Sequence, residues 1–288
     1  MFLPRKILED KLLAILAEDL GQGDVTTALV ILPESTAEAA VISSETGVVA
    51  GIEEAQILLQ SLGLTARALV EDGQQVKPRQ TLIKVSGNAR TILSSERTVL
   101  NILSRMSGIA TKTRQLVNTL KKARLKTKIA CTRKTAPGLL YFDKKAASVG
   151  GADTHRLHLD DMILIKDNHI KIAGNIRGAV RIARQRASFS KKIEVEISKP
   201  EDVHSALEAG ADVIMYDNFS PKQVKEAMKL VDKSSKTHVL SEASGGINSK
   251  NLLAYASTGV DILSLGEITN GASALDMSLE IVKVQKAP

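Results

Sequence analysis

Residues 5–20 place apolar side chains at Leu8, Leu12, Ile15, Leu16 and Leu20, a three-to-four-residue spacing that predicts one amphipathic helix. GQGDVTT then breaks it with two glycines and an aspartate. AEAAVISSETGVVAG alternates as strands and turns do, and EEAQILLQSL reads as a helix. ARALVEDGQQVKPRQTLIKVSG reads as two strands around a loop holding Asp72-Gly73 and Pro78. Residues 88–123 form a long helical stretch, with a break expected near Gly108.

From residue 128 the texture changes. KIACT, MILIK, KIEVEI, ADVIMYD, THVLSEAS and DILSLG are short β-rich runs, with helical segments at 140–149, 175–187, 200–209, 220–232 and 248–257. Short strands alternating with helical crossovers predict parallel βα units. Two helix starts are signalled by Ser198-Lys199-Pro200-Glu201 and Ser220-Pro221-Lys222-Gln223, each with Ser as the expected N-cap. Lys134, Lys166, Glu196, Asp217, Ser244 and Gly266 all fall at or just beyond the C-terminal ends of these runs. In a (β/α) barrel those ends converge on one mouth. An open sheet would carry a Gly-rich first βα turn, and none is present. The expected division is an α/β domain over 1–107, a (β/α) barrel over 108–275, and a C-terminal helix over 276–288 that packs back on the first domain.

The mouth combines three kinds of group. Arg133, Lys134, His155, Arg156 and Lys166 lie within one 40-residue stretch, CTRKTAPGLLYFDKKAASVGGADTHRLHLDDMILIKDNHI, and suit a strongly anionic ligand. Glu196 and Asp217, on adjacent strands, are placed to share a divalent ion, and Mg²⁺ suits two carboxylates plus ligand oxygens and water. Ser244-Gly245-Gly246 and Gly266 end the last two strands, where backbone N–H groups approach a phosphate closely and the following helix N-termini add partial positive charge. Together these imply a metal-bound sugar phosphate and a second ligand carrying carboxylates.

Composition narrows the alternatives. A net charge of +7 favours acidic partners, but aromatics are only 2%, so stacking platforms for single-stranded nucleic acid are scarce. A basic anion-binding or nucleic-acid-binding protein is therefore the weaker, non-enzymatic reading. The single Cys131 excludes an internal disulfide framework and reads as a small buried residue. Five His with one Cys show no zinc-ligand spacing. The N-terminal helix carries acidic residues, unlike a signal peptide, and no apolar run reaches membrane-spanning length. A soluble, cytoplasmic protein is expected.

TRKTAPG, GGADTHR, LIKDNH, EVE…EAGADVIMYDNFSP and EASGGI…GVDILSLGEIT together resemble the quinolinate phosphoribosyltransferases, the carboxylating nicotinate-nucleotide pyrophosphorylases. EDLGQGDVTT, GVVAGIEEA and ALDMSLEI extend the resemblance over nearly the whole chain. It implies an N-terminal α/β sandwich joined to the open-faced (β/α) barrel of type II phosphoribosyltransferases. It also implies a pentosyltransferase acting with Mg²⁺. Quinolinate and 5-phosphoribosyl 1-pyrophosphate would give nicotinate mononucleotide, CO₂ and pyrophosphate for NAD synthesis. On the matching positions, Arg133, His155, Arg156 and Lys166 would grip the quinolinate carboxylates, and Lys134, Glu196 and Asp217 would serve the pyrophosphate, metal and ribose. Ser244, Gly245, Gly246 and Gly266 would hold the 5′-phosphate, and Thr132, Leu265 and Glu267 complete the substrate-binding set. Arg97, in SSERTVLN, matches an arginine that enters the neighbouring subunit's site, so a homodimer is implied. A sister group linked to molybdate-transport operons shares ACTRK and GGA..HRL but differs at the LIKDNH segment, which this chain keeps. Thr154, His158 and Asn270-Gly271 depart from the common pattern.

Overall fold

A computed structural model describes residues 3–232 and 239–285. The chain forms two compact units. The first takes the chain up to Lys112, Lys145–Gly150 and the segment from Ala272; the second takes Thr113–Lys144 and Gly151–Gly271.

The first unit opens with helix α1 (Arg5–Leu20), which buries Leu8, Leu12 and Leu16, three positions of the predicted stripe. Gly21 ends it at φ 54°, its N–H donating to the Ala17 carbonyl. The predicted break is real but short. Asp24 accepts a hydrogen bond from Thr27 N and so caps a small helix, α2 (Val25–Val30). Strands β1 (Thr36–Ser43) and β2 (Gly47–Val48), helix α3 (Ile52–Ser61), and strands β3 (Thr65–Ala68), β4 (Gln75–Val76) and β5 (Gln80–Asn88) follow. Helix α4 (Ala89–Lys122) then runs unbroken for 34 residues. Gly108 does not interrupt it: a Cβ there would lie 2.1 Å from the Ser273 carbonyl oxygen, so this glycine admits a close backbone neighbour.

The second unit alternates strand and helix: β6 (Lys128–Cys131), α5 (Leu140–Gly150, whose last six residues belong to the first unit), β7 (Ile163–Ile165), α6 (Asp167–Ala173), α7 (Ile176–Arg186), β8 (Ile193–Ile197), α8 (Asp202–Ala209), β9 (Val213–Asp217), α9 (Pro221–Asp232), β10 (Leu240–Ser244), α10 (Leu252–Ala256), β11 (Ile262–Leu265) and α11 (Glu267–Asn270). Its six strands form one parallel sheet in the order β6-β11-β10-β9-β8-β7. Beyond β6 the sheet continues only as a bridge between Ala130 and Asp153. No described ladder joins that edge to β7, so the barrel is open-faced. β8 and β9 are buried on both faces along most of their length, as strands flanked by helices must be.

Three local expectations are corrected. The segment 276–288 was expected as a helix, but strand β12 (Met277–Gln285) pairs antiparallel with β1, giving the first unit's sheet the order β12-β1-β5-β3. The β-branched Ile281, Val282 and Val284 suit a strand, and pairing satisfies a β1 edge that would otherwise be bare. The capping box at Ser220 forms, with Gln223 Oε1 accepting from Ser220 N at 2.9 Å. Ser198 caps nothing: α8 starts at Asp202 after Glu201. The 248–257 helix shrinks to Leu252–Ala256, because Asn248 and Asn251 first close a turn on each other. Thr237 and His238 of the THVLSEAS run lie outside the described residues. Among the described residues, no helix is long and apolar enough to cross a membrane.

Candidate active site

All six parallel strands of the second unit send residues at or near their C-terminal ends into one cavity of about 530 Å³. From β6 and the loop after it come Thr132, Arg133 and Lys134, and from the loop after Asp153 come His155 and Arg156. β7 gives Leu164 and Lys166, β8 gives Glu196, and β9 gives Met215, Asp217 and Asn218. β10 gives Glu242, Ser244, Gly245 and Gly246, and β11 gives Ser264. A larger groove of about 840 Å³ lies in the first unit beside α3 and β3, but no parallel strand ends converge there. Chemistry, not size, selects the smaller cavity.

The cationic wall is crowded. Burial, and then the charge of Arg133, push the Arg156 guanidinium down from its ordinary value, while Glu194 pulls it up. Two guanidinium groups lining one cavity suit an anionic ligand. His155 is held in a left-handed backbone conformation, φ 53°, by Asp153 Oδ1, which accepts its N–H at 2.7 Å. Its ring Nε2 lies 3.0 Å from Glu242 Oε2 and 3.3 Å from Glu194 Oε2. Burial alone would lower the imidazole, but the two carboxylates outweigh it and hold the ring up at about 10. Glu242 also accepts from Ser264 Oγ at 2.5 Å. His155, Glu194 and Glu242 are thus an ion-paired cluster rather than an open ligand set. Behind the loop, the fully buried Lys144 donates to the carbonyls of Cys131, Thr154 and Arg156 at 3.0, 2.5 and 3.2 Å. Cys131 is buried, and that burial pushes its thiol up, away from a nucleophile's range.

On the carboxylate side, Lys166 Nζ stands 3.4 Å from Glu196 Oε2. Burial raises the Glu196 carboxyl; Lys166 lowers it and Asp217 raises it further. Asp217 accepts from Asn218 Nδ2 at 2.8 Å. Two hard oxygen donors on neighbouring strands fit a hard divalent cation that takes its remaining ligands from water and phosphate. The glycine loop is sterically determined. Gly245 has φ 92°, and a Cβ there would meet Asn218 Oδ1 at 2.3 Å.

Quinolinate phosphoribosyl transferase domain models match both parts of the chain, the N-terminal domain over residues 24–107 and the C-terminal domain over 109–280. The chain belongs to this family. It is 43% identical to a probable nicotinate-nucleotide pyrophosphorylase (carboxylating) of Methanothermobacter thermautotrophicus, over 91% of this chain and 95% of that one. A protein of Bacillus subtilis with the same description is 41% identical, over 92% and 90%. Among solved structures, the nicotinate-nucleotide pyrophosphorylase of Francisella tularensis superposes with a TM-score of 0.88 at 36% identity, covering 99% and 98% of the two chains. NadC from Streptococcus pyogenes gives 0.89 at 32%, covering 99% of each.

In this member of the family, most residues singled out from the sequence share the cavity, but four do not line it. Arg97 lies exposed on α4 in the first unit. Leu265 is wholly buried, because it faces the core side of β11. Glu267 turns away and accepts from Ser249 N at 2.8 Å and Ser249 Oγ at 3.1 Å, holding the loop after Gly246. Gly266 packs under Lys134, whose Cδ would lie 3.4 Å from a Cβ placed there. The helices after the two glycine sites are five and four residues long, and α10 starts only at Leu252. The Ser244-Gly245-Gly246 loop thus presents backbone amides with no helix N-terminus directly behind it, whereas α11 begins immediately after Gly266.

Sequence reasoning missed Leu164, Met215, Asn218, Glu242 and Ser264 in the cavity and, beside His155, Glu194 as a partner. All but Asn218 obey a single rule. Each lies two residues before a strand-end residue that was chosen: Lys166, Asp217, Ser244, Gly266 and Glu196 respectively. The two-residue period puts such pairs on one face.

Proposed function

We propose that this chain is a quinolinate phosphoribosyltransferase of NAD biosynthesis. The ring nitrogen of quinolinate attacks C1 of 5-phosphoribosyl 1-pyrophosphate and pyrophosphate leaves; the 2-carboxylate then departs as CO₂, and the electron pair left on ring C2 takes a proton to give nicotinate mononucleotide. The observation that carries the reading is one cavity holding Arg133, His155 and Arg156 together with the Glu196–Asp217 pair and the Ser244-Gly245-Gly246 loop.

Arg133, His155, Arg156 and Lys166 hold the two carboxylates, so the ring plane and its nitrogen are oriented before reaction. Ser244 and the amides of Gly245 and Gly246 take the 5′-phosphate, and Thr132 and Lys134 face the pyrophosphate. Lys134 is pinned for this by Thr269 Oγ1, which donates to its carbonyl at 2.6 Å. As pyrophosphate leaves, positive charge grows at C1; Glu196 and Asp217 supply the facing negative charge, while Lys134 meets the departing oxygens. Glu196 and Asp217 would also hold Mg²⁺, which supplies charge neutralisation on phosphate oxygens when bound. Arg97 reaches the site of a second subunit in a homodimer. His155 and Arg156 are half-buried, and leaving them without a carboxylate costs part of that desolvation, which favours a diacid over a monoacid.

Incubating the protein with quinolinate, 5-phosphoribosyl 1-pyrophosphate and Mg²⁺ should yield nicotinate mononucleotide and CO₂ in equal amounts. Absence of product refutes the reading, and equal turnover of nicotinate refutes the diacid clamp. Arg156→Ala should lower kcat/KM by roughly 10²–10³, the scale of one lost preorganised donor.

A further inference from the structure

Glu242 and Glu194 are wholly or almost wholly buried and lie beside a histidine that lines the cavity. Both oxygens of Glu242 are engaged, Oε1 by Ser264 Oγ at 2.5 Å and Oε2 by His155 Nε2 at 3.0 Å. Neither oxygen of Glu194 has a hydrogen-bond partner among the described residues, although Oε2 stands 3.3 Å from the same ring nitrogen. One Nε2–H can serve only one of them, and the closer, aligned acceptor is Glu242. Nδ1 makes no hydrogen bond among the described residues. An imidazole of either neutral tautomer would offer one of its nitrogens as an acceptor, which suits no carboxylate ligand. Two buried carboxylates at Nε2 favour the form that donates from both nitrogens. The other charged groups acting on the cluster are Arg156, which Glu194 also attracts, and Arg133 next to it.

We propose that Glu242, fixed by Ser264, is a positioning residue for acceptor recognition: it orients the His155 ring so that Nδ1–H is a charged donor to a carboxylate of the acid. Burial pushes the Glu194 carboxyl up, against the pull of His155, and Glu242 pushes it up further, so the fixed charge at the ring is that of Glu242. This rests on the diacid reading of the site above and adds what makes one of its cationic donors a donor. Part of the recognition of a carboxylate is thereby assigned to a buried carboxylate of the same cavity, acting through the imidazolium.

Glu242→Gln keeps the shape and removes the charge. Its KM for quinolinate should rise roughly ten- to a hundredfold, the range for a hydrogen bond to a charged group, with the KM for 5-phosphoribosyl 1-pyrophosphate held within about twofold. The rise should grow as pH passes the ordinary histidine range near 6.5, whereas wild type stays flat there. Ser264→Ala tests the same contact more gently, should Glu242→Gln not fold. Independently of turnover, ¹⁵N spectra of histidine-labelled wild type, with His155 identified by His155→Asn, should show a ring protonated on both nitrogens well above neutral pH. A neutral His155 ring in wild type overturns the proposal; so does an unchanged quinolinate KM in folded Glu242→Gln, or an equal rise in both KM values. A wild-type protein that makes no product would instead remove the functional reading, leaving the ring spectra to decide this one.

Discussion

Replacing Lys144 with Met tests whether the recognition loop is held from behind. The Lys144 ammonium is fully buried and donates to three carbonyl oxygens, those of Cys131, Thr154 and Arg156. Burial pushes this ammonium down, so its charge is a cost that the carbonyls offset. Methionine follows the stem to Cε and removes the ammonium with both its charge and its desolvation cost. It also leaves one fully buried acceptor, Cys131 O, and two on the half-buried Thr154 and Arg156. An orphaned buried carbonyl costs about 1–3 kcal/mol, and partly wet ones cost less. The balance is a net loss of roughly 3 kcal/mol for the unit, against a typical total of about 5–15 kcal/mol. In urea this lowers the midpoint of the second unit by about 1 M. Because Thr154 and Arg156 flank His155, the quinolinate KM should rise as well, while the KM for 5-phosphoribosyl 1-pyrophosphate changes little. A Lys144→Met protein within about 0.5 kcal/mol of wild type, with both KM values intact, would show that water replaces the ammonium and that the staple is unnecessary.

Three further outcomes follow from other parts of the molecule. Gly245→Ala combines a φ of 92° with a 2.3 Å contact to Asn218 Oδ1, so the loop must shift; the KM for 5-phosphoribosyl 1-pyrophosphate should rise at least about tenfold, and an unchanged value would remove this loop from phosphate binding. His155, raised to about 10 from 6.5, stabilises the fold fully below pH 6.5, and that contribution is lost as pH climbs through 10. Its ceiling is roughly 5 kcal/mol, reduced by its partial exposure, and a wild-type stability profile parallel to that of His155→Asn between these limits would contradict the ion-paired cluster. Mixing inactive Arg97→Ala with inactive Lys166→Ala subunits should restore up to roughly a quarter of wild-type activity if the site is shared between subunits; no recovery argues that Arg97 acts elsewhere.

The chemistry was legible where a strand ended. Lys166, Glu196, Asp217 and Ser244 follow or close short apolar runs, and a parallel βα sheet brings such ends together whatever the helices between them contain. The same rule, which already places Glu194 on the face of Glu196, would have reached Leu164, Met215, Glu242 and Ser264 if extended two residues back on the other strands, because a strand's period is two along its length. Lys144 gave no such signal: in a helix, one lysine among DKKAA looks like any other until its carbonyl partners are present.

By itself the amino-acid order determined the alternation of strand and helix after residue 128, the face each strand turns to the mouth, and the family motifs those faces carry. These are local properties, set by periodicity and by turn residues within a few positions. Tertiary structure alone decided that 277–285 pairs with β1 as a strand, that Gly108 admits the Ser273 backbone, and that one imidazole meets carboxylates from β8 and β10. Each depends on a neighbour tens of residues or more away in the chain, and a one-dimensional pattern specifies which side of an element is apolar without specifying what covers it.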